Sequence, residues 1–409
     1  MPEVSSLKAI KRGLCVLGAC FGVGFLANCW RAETRAAAVY GELTAAKVAG
    51  SWDAKAAAGY LDQRAGWWMG WQRAARDHET FCVSCHTAVP YAISRSTLRG
   101  ALGESAPSAN EQRILDNVTK RVRLWQEVAP FYSDKDRGVY KSVESRGTES
   151  VLNALILASN SASNTASNAA SNVTSHDAQG GVASADTRMA FANMWAEQQT
   201  TGDKKGAWLW LRFNNEPWEA DDSDYFGAAL GAIAVGTAPG NYRELPEIQG
   251  NIKMLREYLN REYGAQTLEK RVFLLWASAK LPGLVEAERQ KALVSEIFSK
   301  QQSDGGWSLA TLSGNWKRGD GTAQEMKSDG YATGLIAFAL MQAGVARENP
   351  QLRRGLEWLA ANQNGVGGFW AGYSLNKNEE HHIAPETALF MRDAATAYAV
   401  LALSEAGRN

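Results

Sequence analysis

Cys82-Val83-Ser84-Cys85-His86 is a C-x-x-C-H run, and its residue types and spacing carry the most direct chemistry in the chain. Two thiols three positions apart on one turn can each add to a vinyl group of a porphyrin. The adjacent imidazole then lies under the iron as its proximal ligand. Cys82 and Cys85 are therefore read as the attachment points of one covalent haem c, with His86 on the metal. Two other uses of these residues stay open. Cys82, Cys85 and His86 could hold zinc with a fourth ligand, although adjacent Cys and His chelate one ion poorly. Cys82 and Cys85 could also pair as a disulfide in an oxidising compartment, which leaves His86 without a part.

A haem iron has a far side as well. Met391 is the first candidate for it, because it opens the last apolar run of the chain. His381 and His382 stand just before that run on an expected loop. His78 is close in sequence to the motif, and Met69 reads as core. An open far position would instead admit a small ligand.

The elements that position these residues are repeated. One pattern recurs: a basic residue, a small residue, an aromatic–aliphatic pair, a Gln, then Gly and Trp. Its clearest copy is Arg354, Gly355, Trp358, Leu359, Gln363, Gly368, Trp370. A second is Lys291, Ala292, Ile297, Phe298, Gln302, Gly305, Gly306, Trp307, and a third Trp195, Gln198, Gln199, Gly206, Trp208. A degenerate fourth runs Lys55, Ala56, Tyr60, Leu61, Gln63, Gly66, Trp67, with a partial fifth around Arg121 to Trp125. The segments before these turns are amphipathic. So is Asn251 to Tyr263, with Ile252, Leu255 and Leu259 on one side.

Between the turns lie runs apolar around their whole circumference: Asp221 to Gly236, Ser328 to Gly344 and Asp393 to Gly407, with Thr148 to Ala158 as another. Such runs are buried helices. The unit is an outer amphipathic helix, a Gly–Trp turn and an inner buried helix. Units that cannot bury their faces alone must stack. On this map Cys82 falls at the start of an inner helix.

These copies resemble the QW motifs of the squalene–hopene cyclase and protein prenyltransferase superfamily, over roughly Lys55 to the C-terminus. The resemblance implies an all-α fold, an α/α toroid of inner and outer helices. It also implies an apolar isoprenoid substrate as an alternative function. Glu219-Ala220-Asp221-Asp222-Ser223 is similar to the D-x-D-D acid motif of class II terpene cyclases, with Glu219 in place of the first Asp. By that match Asp221 is the catalytic proton donor. Capping explains the same acids, since helix N-termini favour acidic and hydroxyl residues and Thr148-Glu149, Ser328-Asp329 and Asp393 hold similar places. The chain is also shorter than squalene cyclases, and it has no match to the prenyltransferase zinc ligands.

Lys8, Lys11 and Arg12 precede the uncharged run Gly13 to Ala27, which is too short for a spanning helix and suits an export signal or N-terminal anchor over residues 1–30. Residues 31–409 are read as a single domain, with Ser159 to Ser184, rich in Ser, Asn and Ala, as a flexible inserted loop. Of five cysteines, Cys82 and Cys85 are the two beyond this N-terminal region. Lys plus Arg and Asp plus Glu are equal at 43 each, so charge gives no reason to expect nucleic acid. The expected character is an exported, periplasmic haem protein with an electron-transfer or redox role. Its partners would be a redox protein or an apolar molecule in the cavity, with membrane contact only through the N-terminal segment.

Overall fold

The protein is described from a computed structural model that covers residues 52–170, 183–381 and 385–407. The expected signal segment and His382 lie outside the described residues. The chain is helical. In order it forms α1 (Ala54–Gly70), a two-stranded antiparallel hairpin of β1 (Ala75–Arg76) and β2 (Thr80–Phe81), α2 (Ala88–Leu102), α3 (Ala109–Arg123) and the short α4 (Asp134–Arg137). There follow α5 (Lys141–Ala170), α6 (Ala185–Glu197), α7 (Ser223–Thr237), α8 (Gln249–Glu262), α9 (Leu268–Lys280) and α10 (Ala287–Ser299). The short α11 (Leu309–Leu312), α12 (Gly330–Gln342), α13 (Pro350–Ala361) and α14 (Phe390–Ala406) complete the order.

Hydrophobic pattern decides which helices are enclosed. In α7 every residue from Ser223 to Val235 is buried, and α12 and α14 are buried along nearly their whole length. A helix apolar on all sides must be covered on all sides. Accordingly α2, α5, α7, α9, α12 and α14 each pack against the next in that order, and α14 returns to α2 to close the cycle. The amphipathic helices cover them singly: α1 on α2 and α14, α3 on α2 and α5, α6 on α5, α8 on α7, α10 on α9, and α13 on α12 and α14. In α8, Ile252, Leu255 and Leu259 are fully buried, as their spacing predicts.

Three turns repeat one set of hydrogen bonds. Gln198 Nε2 donates to Gly206 O at 3.0 Å, Gln301 Nε2 to Gly305 O at 2.8 Å, and Gln363 Nε2 to Gly368 O at 3.0 Å. Each Gln also reaches the start of the following outer helix: Asn251 O, Gln351 O and Asp53 O. The Trp of each turn donates its indole N–H back to the preceding outer helix, from Trp208 to Met194 O, Trp307 to Ile297 O and Trp370 to Leu359 O. The glycines are required there. Gly206 and Gly368 have φ of +97° and +71°, and a Cβ on either would strike backbone, at Met254 and Ala56 respectively. The last turn thus docks on α1, joining the end of the chain to its first described helix.

Three expectations are corrected. In the second copy it is Gln301, not Gln302, that bridges the turn; Gln302 Nε2 donates to Met326 O. Gln63, Gly66 and Trp67 make no turn, because all three lie inside α1. Asp53 caps that Ala-rich helix by accepting from Ala56 N, and nothing breaks it before Trp71. The expected loop at 159–184 is helical as far as Ala170. Residues 159–170 contain neither Gly nor Pro, so nothing in the backbone breaks the helix that starts at Lys141.

Candidate functional site

The C-x-x-C-H segment connects β2 to α2, and each end of it is held by side chains. Asn117 of α3 grips Phe81, accepting from its N–H at 2.8 Å and donating to its carbonyl at 3.1 Å. Trp68 of α1 donates to Cys82 O at 2.7 Å. Ser84, inside the motif, caps α2: its Oγ accepts from Ala88 N at 3.0 Å and Thr87 N at 3.3 Å. Cys82 and Cys85 are buried and unpaired. Burial pushes the Cys82 thiol up to about 12 and the Cys85 thiol well above its ordinary range, so both are neutral.

His86 is set by a relay. Its Nδ1 lies 2.9 Å from Thr87 Oγ1, and Thr87 donates its one hydroxyl proton to Asp393 Oδ2 at 2.7 Å. Asp393 takes further bonds from Tyr60 OH at 2.9 Å, and from Arg64 through Nε at 2.7 Å and Nη2 at 2.9 Å. That two-pronged ion pair, buried on both sides, holds Asp393 as the acceptor even though burial raises its pKa. With its proton committed to Asp393, Thr87 Oγ1 can only accept from His86. The Nδ1–H tautomer follows, and the lone pair is left on Nε2. Burial, with Arg64 adding to it, lowers the His86 pKa to about 3, so the ring is neutral. A neutral ring with its other nitrogen anchored is what metal ligation needs.

The surroundings of the ring are aromatic. Phe390 stacks on His86 with centroids 3.7 Å apart, Trp68 meets it edge-on at 5.0 Å, and Trp218 is tilted against it at 5.6 Å. His86 lines two cavities. The larger, about 240 Å³, is shared with Met391, Trp218, Phe390 and Glu219, and carries Arg73 and Lys377. The smaller, about 30 Å³, is lined by Cys82, Cys85, His86 and Glu219 among others. His86 and Glu219 are thus common to the thiol side and the Met391 side.

Of the residues singled out in the sequence, Cys82, Cys85, His86 and Met391 come together. Met391 is 4% exposed and lines the larger cavity. His381 is exposed and bonds Asp320 Oδ2 through Nδ1 at 2.9 Å. His78 is exposed beside Asp77, and Met69 is in the core. Asp221 is exposed and lines neither of these two cavities. Its neighbour Asp222 binds Lys270 Nζ at 2.5 Å, a lysine that also holds Glu216. The acid that does face His86 is Glu219, lifted by burial to about 7 against the opposing effects of Asn215 and Lys141. Sequence marked Glu219 only as part of an acidic run, and periodicity could not show which member faces inward, because the segment is irregular.

The other acids of the inner helices are structural partners, and Glu149 is not at the expected helix start, because α5 already runs from Lys141. Glu149 pairs with Arg121 at 2.5 Å, Asp224 with Lys204 at 2.7 Å and Arg212 at 2.9 Å, and Asp329 caps α12. Among the described residues no three His, Cys, Asp or Glu side chains form a metal-holding group. No family model and no curated protein matches this chain.

Proposed function

We propose that this protein is an exported c-type haem protein, in which Cys82 and Cys85 would hold the haem covalently and His86 and Met391 would bind its iron. The observation that carries the reading is the His86–Thr87–Asp393 relay, which leaves Nε2 as the free lone pair beside two unpaired thiols. When bound, the haem supplies a one-electron iron couple. The chain's own contribution is orientation and enclosure. Thr87 and Asp393 fix the ring, Trp68 and Phe390 wall it from solvent, and Met391 offers a soft thioether suited to electron transfer rather than to an open coordination site.

The helix cycle with its six outer helices supports an α/α toroid. The three Gln–Gly–Trp turns support kinship in fold with the squalene–hopene cyclase and prenyltransferase superfamily. The motif directly precedes α2, one of the inner helices. The basic and apolar residues of 1–30 support export.

The test is a pyridine haemochrome spectrum of protein made in a host with c-type maturation machinery, beside the Cys82→Ala, Cys85→Ala variant. A c-type spectrum that survives denaturation, and is lost in the variant, is expected. No covalent haem in the native chain would overturn the reading.

A further inference from the structure

The cavity beside His86 is two-sided in its chemistry. Trp218, Phe390, Ala388 and Met391 give it an apolar part, while Arg73 and Lys377 contribute cations from two separate segments. Arg73 is on the turn after α1 and Lys377 on the segment between α13 and α14. Both are exposed, and neither is ion-paired among the described residues. This contrasts with the interior, where Arg64, Arg121 and Lys270 are each matched to a carboxylate. The one acid on the cavity wall, Glu219, is bonded by Asn215, and burial shifts it toward its neutral form.

A cavity with apolar walls and two unspent cations fits an apolar ligand that carries carboxylates. We propose that Arg73 and Lys377 are the carboxylate-binding pair of this cavity, and that the groups they take are the propionates of a haem attached at Cys82 and Cys85. The inference rests on the haem reading and adds the site of the group's charged edge. It also gives the two cations a task. They offset the propionate charge beside the iron, and so favour the reduced state.

The experiment uses the covalent holoprotein, its haem load first checked by the haemochrome spectrum. If that spectrum is absent, the haem reading fails and the pairing is overturned with it; a spectrum that is present isolates the pairing as the remaining question. With haem present, Arg73→Gln, Lys377→Gln and the double variant are compared with the native protein at low ionic strength. Two readouts are taken: the midpoint potential, and the propionate carboxylate stretches in redox-difference infrared spectra. The expected result is a midpoint that falls in each single variant and further in the double, with displaced carboxylate bands. The Arg73→Lys, Lys377→Arg exchange should keep both near native. Unchanged carboxylate bands in the double variant overturn the pairing, even if the midpoint moves, because the cations would then be bystander charges. A native protein whose haem spectrum responds to added benzoate, with the response lost in the double variant, also overturns it and assigns the cations to an external carboxylate. All substitutions are at exposed positions, and circular dichroism confirms that the fold is retained.

Discussion

The His86 imidazole and the Asp393 carboxylate share a single hydroxyl: Thr87 Oγ1 is 2.9 Å from one and 2.7 Å from the other. The two are 307 positions apart in sequence, by the numbers 393 and 86. The relay makes the first turn of α14 the platform on which the motif histidine is oriented. Removing the hydroxyl should therefore be costly out of proportion to its size. Thr87→Val leaves the His86 N–H without a partner and removes one of the two bonds that Asp393 Oδ2 accepts, the other being from Arg64 Nη2 at 2.9 Å. The expected loss is about 1–3 kcal/mol in urea unfolding, with Thr87→Ser restoring most of it. A valine variant as stable as the native protein would show that the relay is not formed.

The Met391 assignment predicts a change of spin state. In the holoprotein, Met391→Ala should convert a low-spin, ligand-inert ferric haem to one that is high-spin, and the ferrous form should bind carbon monoxide. The optical spectrum and carbon monoxide titration read both. If neither changes, the far ligand is another side chain.

Arg64 and Asp393 are both almost fully buried, with side chains 6% and 2% exposed. Breaking such a pair strands a charge in the interior. Arg64→Ala is expected to destabilise the fold by about 3–5 kcal/mol. Because Asp393 then loses its reason to stay ionised, the double variant Arg64→Met, Asp393→Leu should recover part of the loss. Denaturation midpoints of the three proteins decide it. A double variant worse than Arg64→Ala would place the cost in packing instead.

Glu269 of α9 is 1% exposed and receives Tyr331 OH at 2.9 Å, and burial lifts its pKa to about 8. In the unfolded chain the proton leaves near the ordinary value of 4.5. Between these two values the folded state holds a proton that the unfolded state has released, so stability falls as pH rises through the window. The slope from one site is at most about 1.4 kcal/mol per pH unit. Glu269→Gln should flatten this decline, matching the native protein near the lower end of the window and exceeding it near the upper end. Parallel pH–stability curves for the two proteins would remove Glu269 from the account.

What sequence could reveal depended on whether a single local rule governed the position. Four of the buried inner helices were visible because apolarity on every side admits one solution, whereas α9, with charged residues at its start, was not singled out. The expected runs from Asp221, Ser328 and Asp393 correspond to α7, α12 and α14 within a few residues. The C-x-x-C-H set was visible because its residue types and spacing are unusual, and Met391 because it opens the last apolar run. Gln63–Gly66–Trp67 misled because the same three letters serve a turn only when the backbone breaks, and in α1 a strong cap and alanines keep it helical. Glu219, Arg73 and Lys377 were not distinguished because their roles come from which segments meet at the cavity. Thr87 was hidden for the same reason, since its partner is at the far end of the chain.

The docking of the last Gln–Gly–Trp turn on α1 has a temporal meaning. Gln363 ties to Asp53, Gly368 abuts Ala56, and Arg64 and Tyr60 of α1 grasp Asp393. Both thiols and His86 belong to the early part of the chain, whereas Asp393, Phe390 and Met391 arrive with its final helix. A nascent chain therefore presents its two sulfurs and its imidazole long before the clasp that orients the ring exists. On the proposed haem reading, attachment and ligand orientation would be separated in the order of synthesis, and only the finished circuit of helices would join them.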